Sequence, residues 1–288
     1  GLCASAILQS ALQNEGVPFA AKYVQTLDEE FLESIKDEHA NVVLFADCGA
    51  NKEEEILKVL KDKQLYILDH HDVPAEKPAK GITNINPHYH GITQANEVSG
   101  AGVAYLFALG INPDNRSLAH LAVLGAVGDN QEKSGFKELN DMMLNHAIIQ
   151  KTISLGKRLR LYGLNSRPLI KVLEYSSDLD IPGVTNNPDG VKQLLSDLRI
   201  RYERDGRLKK FYHLHDEQKA RLTKRILELK EGTPEDELLV PTYTFNDVSR
   251  RELSDVREYA TVINSCGRRE EYDVAVQALL GEAQAQQG

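Results

Sequence analysis

Three aspartates and two histidines stand where apolar segments of this 288-residue chain end. Asp47 follows the run VVLFA, and Asp69 follows LYIL and opens the triplet Asp69-His70-His71. Asp129 lies in LGAVGDN, where an apolar helix gives way to a Gly-Asp-Asn turn. In an open parallel sheet ligands gather at the carboxyl ends of strands, so Asp47 and Asp69 project towards one crevice. An acidic group ending an apolar segment is costly to bury unless something pairs it. Singly, each has an ordinary reading: a helix cap or turn residue for the aspartates, a solvated loop for the histidines. Together, three carboxylates with adjacent imidazoles make a divalent-metal constellation that suits manganese, with magnesium the alternative.

The elements that must position these groups alternate. Residues 2–14 (LCASAILQSALQN) carry small and apolar side chains at helical spacing, and Gly16 ends them. Residues 17–24 read as a strand, 28–36 as a polar helix, 41–46 as a buried strand, 52–61 as an amphipathic helix and 65–68 as another buried strand. Residues 99–109 and 117–127 read as helices. Strands alternating with helices predict an α/β fold, a parallel sheet flanked by helices. From 141 to 161 the pattern is helical and increasingly basic, through Lys151, Lys157, Arg158 and Arg160. Residues 181–190 (IPGVTNNPDG) form a loop, and a helix over 216–231 stops at Gly232-Thr233-Pro234. The expected division is an α/β domain over 1–150 and a mostly helical connecting region over 151–288.

Composition narrows the function classes. With 41% hydrophobic and 27% charged residues the chain is of ordinary globular type. No apolar run approaches the ~20 residues needed to span a bilayer, so no membrane partner is expected. Cys3, Cys48 and Cys266 are far apart and form no CxxC pair, which predicts reduced thiols and a cytoplasmic protein. A net charge of −9 argues against holding nucleic acid by bulk electrostatics but permits a local basic groove.

Several segments carry a family resemblance. LDHHDV resembles the signature of the DHH phosphoesterases, and LFADCGAN and LGAVGDN resemble their second and fourth motifs. Residues 97–107 (EVSGAGVAYLF) look like the segment following the triplet in RecJ-type nucleases, and 264–268 (NSCGR) resembles their NAxGR element. Residues 181–195 (IPGVTNNPDGVKQLL) look closer to the archaeal RecJ-like proteins, including the GINS-associated nucleases, than to bacterial RecJ. The resemblance covers nearly the whole chain. It implies a two-metal hydrolase of phosphodiester bonds in single-stranded DNA or RNA, working from an end, with replication or repair proteins as further partners. Two rival readings accompany it: a small-substrate phosphoesterase for oligonucleotides, cyclic dinucleotides or pyrophosphate, and a non-catalytic replication scaffold.

By motif, the resemblance assigns roles. Asp47 would bridge two divalent cations, Mn2+ or Mg2+, while His70 and Asp129 ligate one of them. Asp69 would support a metal or orient a histidine. On an extended backbone His71 cannot point the same way as His70, so it would meet the scissile phosphate or protonate a leaving group. Ser99, Gly100 and Gly102 would either offer free amides to phosphate at a helix N-terminus or permit close helix packing. Arg268 would grip a phosphate, with Asn264 bracing its loop; an ordinary surface arginine is the alternative. The basic cluster from Arg199 to Lys210 could extend a groove, but with Glu203 and Asp205 interleaved a solvated face is the favoured reading. Tyr202, Phe211 and Tyr212 could stack bases and are expected rather to pack. The chain begins at what looks like the glycine of a DxDG-type first motif and stops before a GGH-type C-terminal domain. The expectation is a fragment without its first strand, inactive by itself.

Overall fold

The computed structural model describes residues 1–93, 96–133, 135–248 and 250–285. The chain forms two compact units, Gly1–Ile153 with Ala260–Gly288, and Ser154–Tyr259.

The first unit runs α1 (Leu2–Asn14), α2 (Glu29–Lys36), β1 (Val42–Ala46), α3 (Glu53–Leu60), β2 (Gln64–Leu68), β3 (Ile82–Ile85), α4 (Gly100–Ile111), α5 (Ala119–Gly128) and α6 (Glu138–Ile149). The three strands pair in parallel in the order β1-β2-β3. Ala46 lies opposite Leu68, and Leu68 opposite Ile85, so all three strands end level. The ladder continues one step past each end: the Asp47 amide donates to the Leu68 carbonyl at 2.8 Å, and the Asp69 amide to the Ile85 carbonyl at 3.4 Å.

Alternation explains how the sheet is covered. On β2, Leu65 and Ile67 join Leu32, Ile35, Ile56 and Leu60 of α2 and α3 in one apolar cluster. Tyr66 on the other face meets Phe107 of α4, ring centroids 6.4 Å apart. Ile67 and Leu68 are both fully buried, each contributing roughly 2 kcal/mol of apolar burial. Against this layer α1, α4 and α5 pack through small residues: Ala4, Ala6, Ala101, Ala104, Ala122 and Ala126 are buried. A Cβ on Gly125 would come within 2.3 Å of the Ala101 Cβ, so glycine there is what lets α5 approach α4.

The second unit holds β4 (Ile153–Leu159), α7 (Leu169–Glu174), α8 (Pro188–Asp197), the short hairpin β5 (Glu203–Arg204) and β6 (Arg207–Leu208), α9 (Asp216–Leu229), α10 (Glu235–Leu238) and β7 (Leu239–Phe245). Its own core includes Leu159, Leu169, Leu173, Ile181, Leu195, Leu222 and Ile226. Arg158 is tied to the buried Asp255 at 2.8 Å. Two helices follow, α11 (Val256–Arg268) and α12 (Tyr272–Ala285).

Three expectations need correction. Residues 17–24 form no strand: Gly16 turns the chain at φ 67°, Pro18 lacks a donor, and Val17 and Phe19 stay more than 40% exposed. The helix expected over 141–161 stops at Ile149, after which Lys151 adopts φ 57° and residues 153–159 form β4. Its partner β7 lies some eighty residues downstream, a tertiary contact that local periodicity cannot announce. A single division at 150/151 differs from the division in space, because α12 packs on α1 and Tyr272 meets Tyr23 at 5.8 Å. The three cysteines are free thiols. No helix among the described residues is long and apolar enough to cross a membrane.

His120 on α5 is 2% exposed. Its Nδ1 lies 2.9 Å from the Ser117 carbonyl, so that nitrogen carries the proton and donates. Burial pushes the imidazole down to about 4, against the smaller upward pull of that hydrogen bond. Between the ordinary value of 6.5 and 4 the unfolded chain binds a proton that the folded chain refuses. Stability is therefore predicted to fall as pH drops through that window, by roughly 3 kcal/mol. Urea midpoints from pH 4 to 7 should show this slope in the wild type and lose it in His120→Gln; equal slopes would remove His120 as its source.

Candidate metal centre

The level strand ends set out a row of side chains. Asp47, Asp69 and Asn86 are the first residues beyond β1, β2 and β3. Asp47 turns into the left-handed region at φ 61°, a conformation that aspartate tolerates better than most residues. Its Oδ1 is buried and accepts no hydrogen bond. His70 Nε2 lies 3.3 Å from it. The same nitrogen lies 3.9 Å from Asp129 Oδ2, and the Gly1 amino group contacts Asp47 Oδ2. Asp47, His70 and His71 each offer one ligand atom within 4.8 Å of the others.

Asp129 enters from another layer, as the residue that ends α5. Its turn is pinned from outside: the Asn264 side chain on α11 donates to the Gly128 carbonyl at 3.0 Å. Gly100 closes the remaining side, since a Cβ built there would lie 1.9 Å from Asp47 Oδ1.

Asp69 sits at the equivalent position to Asp47 and meets a different environment. It is 1% exposed. Its Oδ2 accepts the Ala50 amide at 2.9 Å. Its Oδ1 accepts the His70 amide at 2.8 Å and lies 2.6 Å from His71 Nδ1. Both oxygens accept from protein donors, and the contact to Nδ1 orients the His71 ring. Asn86, fully buried, donates to the His71 carbonyl at 3.0 Å.

Electrostatics follow from the spacing. Burial pushes the Asp47 carboxyl up, and the neighbouring His70 ring pulls it down. Burial lowers His70, and Asp47 and then Asp129 more than reverse that. The Asp69 hydrogen bond lifts His71 to about 8. Asp129 is raised, first by burial and then by the like charge of Asp47. Two carboxylates around an imidazole, one with a buried oxygen that accepts no hydrogen bond, are donor types that a divalent cation takes. The donor set fits a divalent ion.

The sequence-derived site divides accordingly. Asp47, His70 and Asp129 come together, and so does His71, against the expectation that it points away from His70. Their rings lie 4.6 Å apart, because residues 69–72 have left the strand and its two-residue alternation no longer applies. Ser99, Gly100 and Gly102 are buried. The Gly102 amide donates to Ser99 Oγ at 3.1 Å, and a Cβ on Gly102 would lie 2.7 Å from Met143 Cε. This segment packs closely against Asp47 and Met143. Asn264 braces the Asp129 turn, and it does so from a helix instead of a loop. Arg268 is exposed and bonds Ser265 of its own helix at 3.2 Å. Sequence reasoning missed Asn86, although Asn-Pro after the short run ITNI marked a third strand end. It also missed the steric role of Gly100.

Comparison with known proteins agrees with this picture. Residues 1–126 match the DHH family, N-terminal domain, and residues 161–238 the DHH-CID domain. An uncharacterized protein of Methanocaldococcus jannaschii is 28% identical over 206 residues, 69% of this chain and 46% of that protein. Among solved structures, CDC45 from Entamoeba histolytica superposes with a TM-score of 0.67 at 15% identity, covering 99% of this chain and 65% of that one. RecJ from Thermus thermophilus in complex with Mn2+ gives 0.50 at 16% identity, covering 99% of this chain and 32% of that one. An exonuclease RecJ bound to manganese gives 0.50 at 17%, with 99% and 56% covered. The chain thus spans about half the length of the M. jannaschii relative and under two thirds of each structural neighbour. With both domain matches lying on a fold shared with RecJ and CDC45, the chain belongs to the DHH superfamily and has the RecJ-like fold.

Proposed function

We propose that this chain supplies the metal-binding half of a phosphodiesterase acting on single-stranded nucleic acid, with manganese the preferred ion and magnesium the alternative. The observation that carries the reading is Asp47 Oδ1, a buried carboxylate oxygen without a donor, facing His70 with Asp129 beyond. Asp47, His70 and Asp129 would hold the cations. Bound there, they would lower the pKa of a water and neutralise charge on the phosphoryl oxygens. The chain's own groups do the rest. Asp69 fixes His71 through Nδ1, which leaves Nε2 to donate to a phosphate oxygen or the leaving group. Asn86 holds the His71 backbone, and Asn264 holds the turn carrying Asp129. The scaffold reading finds support in the likeness to CDC45. Against it stands the intact set of donors: a purely structural protein gains nothing from a buried carboxylate oxygen left without a partner.

Mn2+ titration of this chain, followed by electron paramagnetic resonance, should show binding that Asp47→Ala and His70→Ala each weaken at least tenfold. In the full-length protein the same changes should abolish manganese-supported cleavage of single-stranded oligonucleotides. Unaltered Mn2+ affinity in both variants would sink the metal centre, and preference for pyrophosphate or dinucleotides would move the substrate class.

Gly100→Ala tests the geometry of the cradle. The added methyl must displace Asp47, so the variant should lose Mn2+ affinity and about 1–3 kcal/mol of stability from overpacking. Wild-type affinity with wild-type urea midpoint would mean the carboxylate is not held as described.

A further inference from the structure

The second unit carries a charge pattern that the metal centre does not use. Residues 199–210 hold six basic side chains against two acidic ones, in a protein whose acids outnumber its bases 43 to 34. The segment folds into the β5–β6 hairpin, turning through Asp205 at φ 53° and Gly206 at φ 74°. The interleaved acids do not neutralise it. Among the described residues Asp205 reaches only Arg204, at 3.5 Å between two side chains more than 80% exposed. Glu203 lies opposite Leu208 and forms no ion pair among the described residues. Arg199, Arg201, Arg207 and Lys209 likewise have no carboxylate within 4 Å among the described residues, and the arginines are exposed.

Register concentrates the charge. Arg204 pairs directly with Arg207 across the hairpin, and the Lys209 amide donates to the Tyr202 carbonyl at 2.7 Å on the next rung. Alternation therefore places Arg204, Arg207 and Lys209 on one face. Like charges directly opposite in a hairpin repel and weaken it, so stability alone does not select this pair; a polyanion laid across it would relieve the repulsion. The neighbouring aromatic rings are engaged elsewhere. Tyr202 and Phe211 pack on the unit's core, and the Tyr212 hydroxyl donates to Glu252 at 3.0 Å. The surface is thus electrostatic and unsuited to reading bases.

We propose that the 203–208 hairpin, through Arg204 and Arg207 with Lys209 beside them, is a sequence-independent binding site for the phosphate backbone of single-stranded nucleic acid. The choice of this polyanion rests on the phosphodiesterase reading above; the site itself is independent of the metal centre.

The test is fluorescence anisotropy with the whole protein and a labelled single-stranded oligonucleotide at several salt concentrations, without divalent metal. Arg204→Ala/Arg207→Ala should weaken binding roughly tenfold and reduce the slope of log K against log[salt] by about 1.4, the loss of two phosphate contacts. Arg204→Lys/Arg207→Lys, which keeps the charges, should restore most of both. Circular dichroism should show all variants folded. Unchanged affinity and slope in the alanine pair would overturn the site, as would loss of binding to polyglutamate with oligonucleotide binding intact, which would assign the hairpin to an acidic protein. The two readings fail separately. Cleavage that persists with hairpin-independent binding sinks only the hairpin, and hairpin-dependent binding without any cleavage sinks only the phosphodiesterase.

Discussion

The site depends on three parallel strands ending at the same level. Ala46, Leu68 and Ile85 share one register line, and the ladder bonds from Asp47 and Asp69 carry it one residue further. Slipping β1 by one residue would reverse its faces, exposing Phe45 and burying the side chains that now lie opposite. The apolar cluster under α2 and α3 therefore fixes the position of Asp47 as firmly as any contact Asp47 makes itself. Its left-handed backbone, which aspartate visits more readily than most residues, is held by the bond from its amide to the Leu68 carbonyl. Packing in the core, not the polar groups, sets the geometry of the acids.

Given that placement, environment decides which acid does what. Asp47 and Asp69 are the same residue type at the same point on adjacent strands. Asp69 meets the Ala50 and His70 amides and the His71 ring, so its charge is solvated by protein. Asp47 Oδ1 accepts no hydrogen bond, and Gly100 packs so close to it that a Cβ there would lie 1.9 Å away. The pair shows why a roll of acidic residues is not a ligand set: the oxygen with nothing to accept is open to a cation, and the satisfied one orients its neighbour.

Much of this was legible because strand and helix ends are marked by where an apolar run stops. VVLFA, LYIL and LGAVG each announced the acid that follows them, and the helices over residues 2–14, 100–111 and 216–229 follow their predicted spans closely. What failed had physical causes. His71 was expected to diverge from His70 by a rule for extended strands, which lapses once the chain leaves β2. Ser99-Gly100-Ala101-Gly102 fits either an open helix N-terminus or a tight contact, and only the positions of Asp47 and Met143 reveal the tight contact. β4 required β7, far along the chain. Asn264 stands in a recognisable motif, yet its partner is a backbone carbonyl that no pattern names.

Charge, too, acts locally. A value of −9 argues against a protein that coats nucleic acid with a basic surface. Yet exposed charges act over a Debye length of about 10 Å at ordinary ionic strength, so distant carboxylates cannot cancel a cluster of arginines. The interleaving of Glu203 and Asp205 suggested cancellation in the sequence. In the hairpin the acid opposite Leu208 makes no ion pair among the described residues, while two arginines face each other across the rungs. Adjacency along the chain and adjacency across a hairpin are different things, and the second adds Arg207 to the field around Arg204 that an incoming phosphate meets. The sum of charges constrains solubility and long-range steering; it leaves the chemistry of a single turn free.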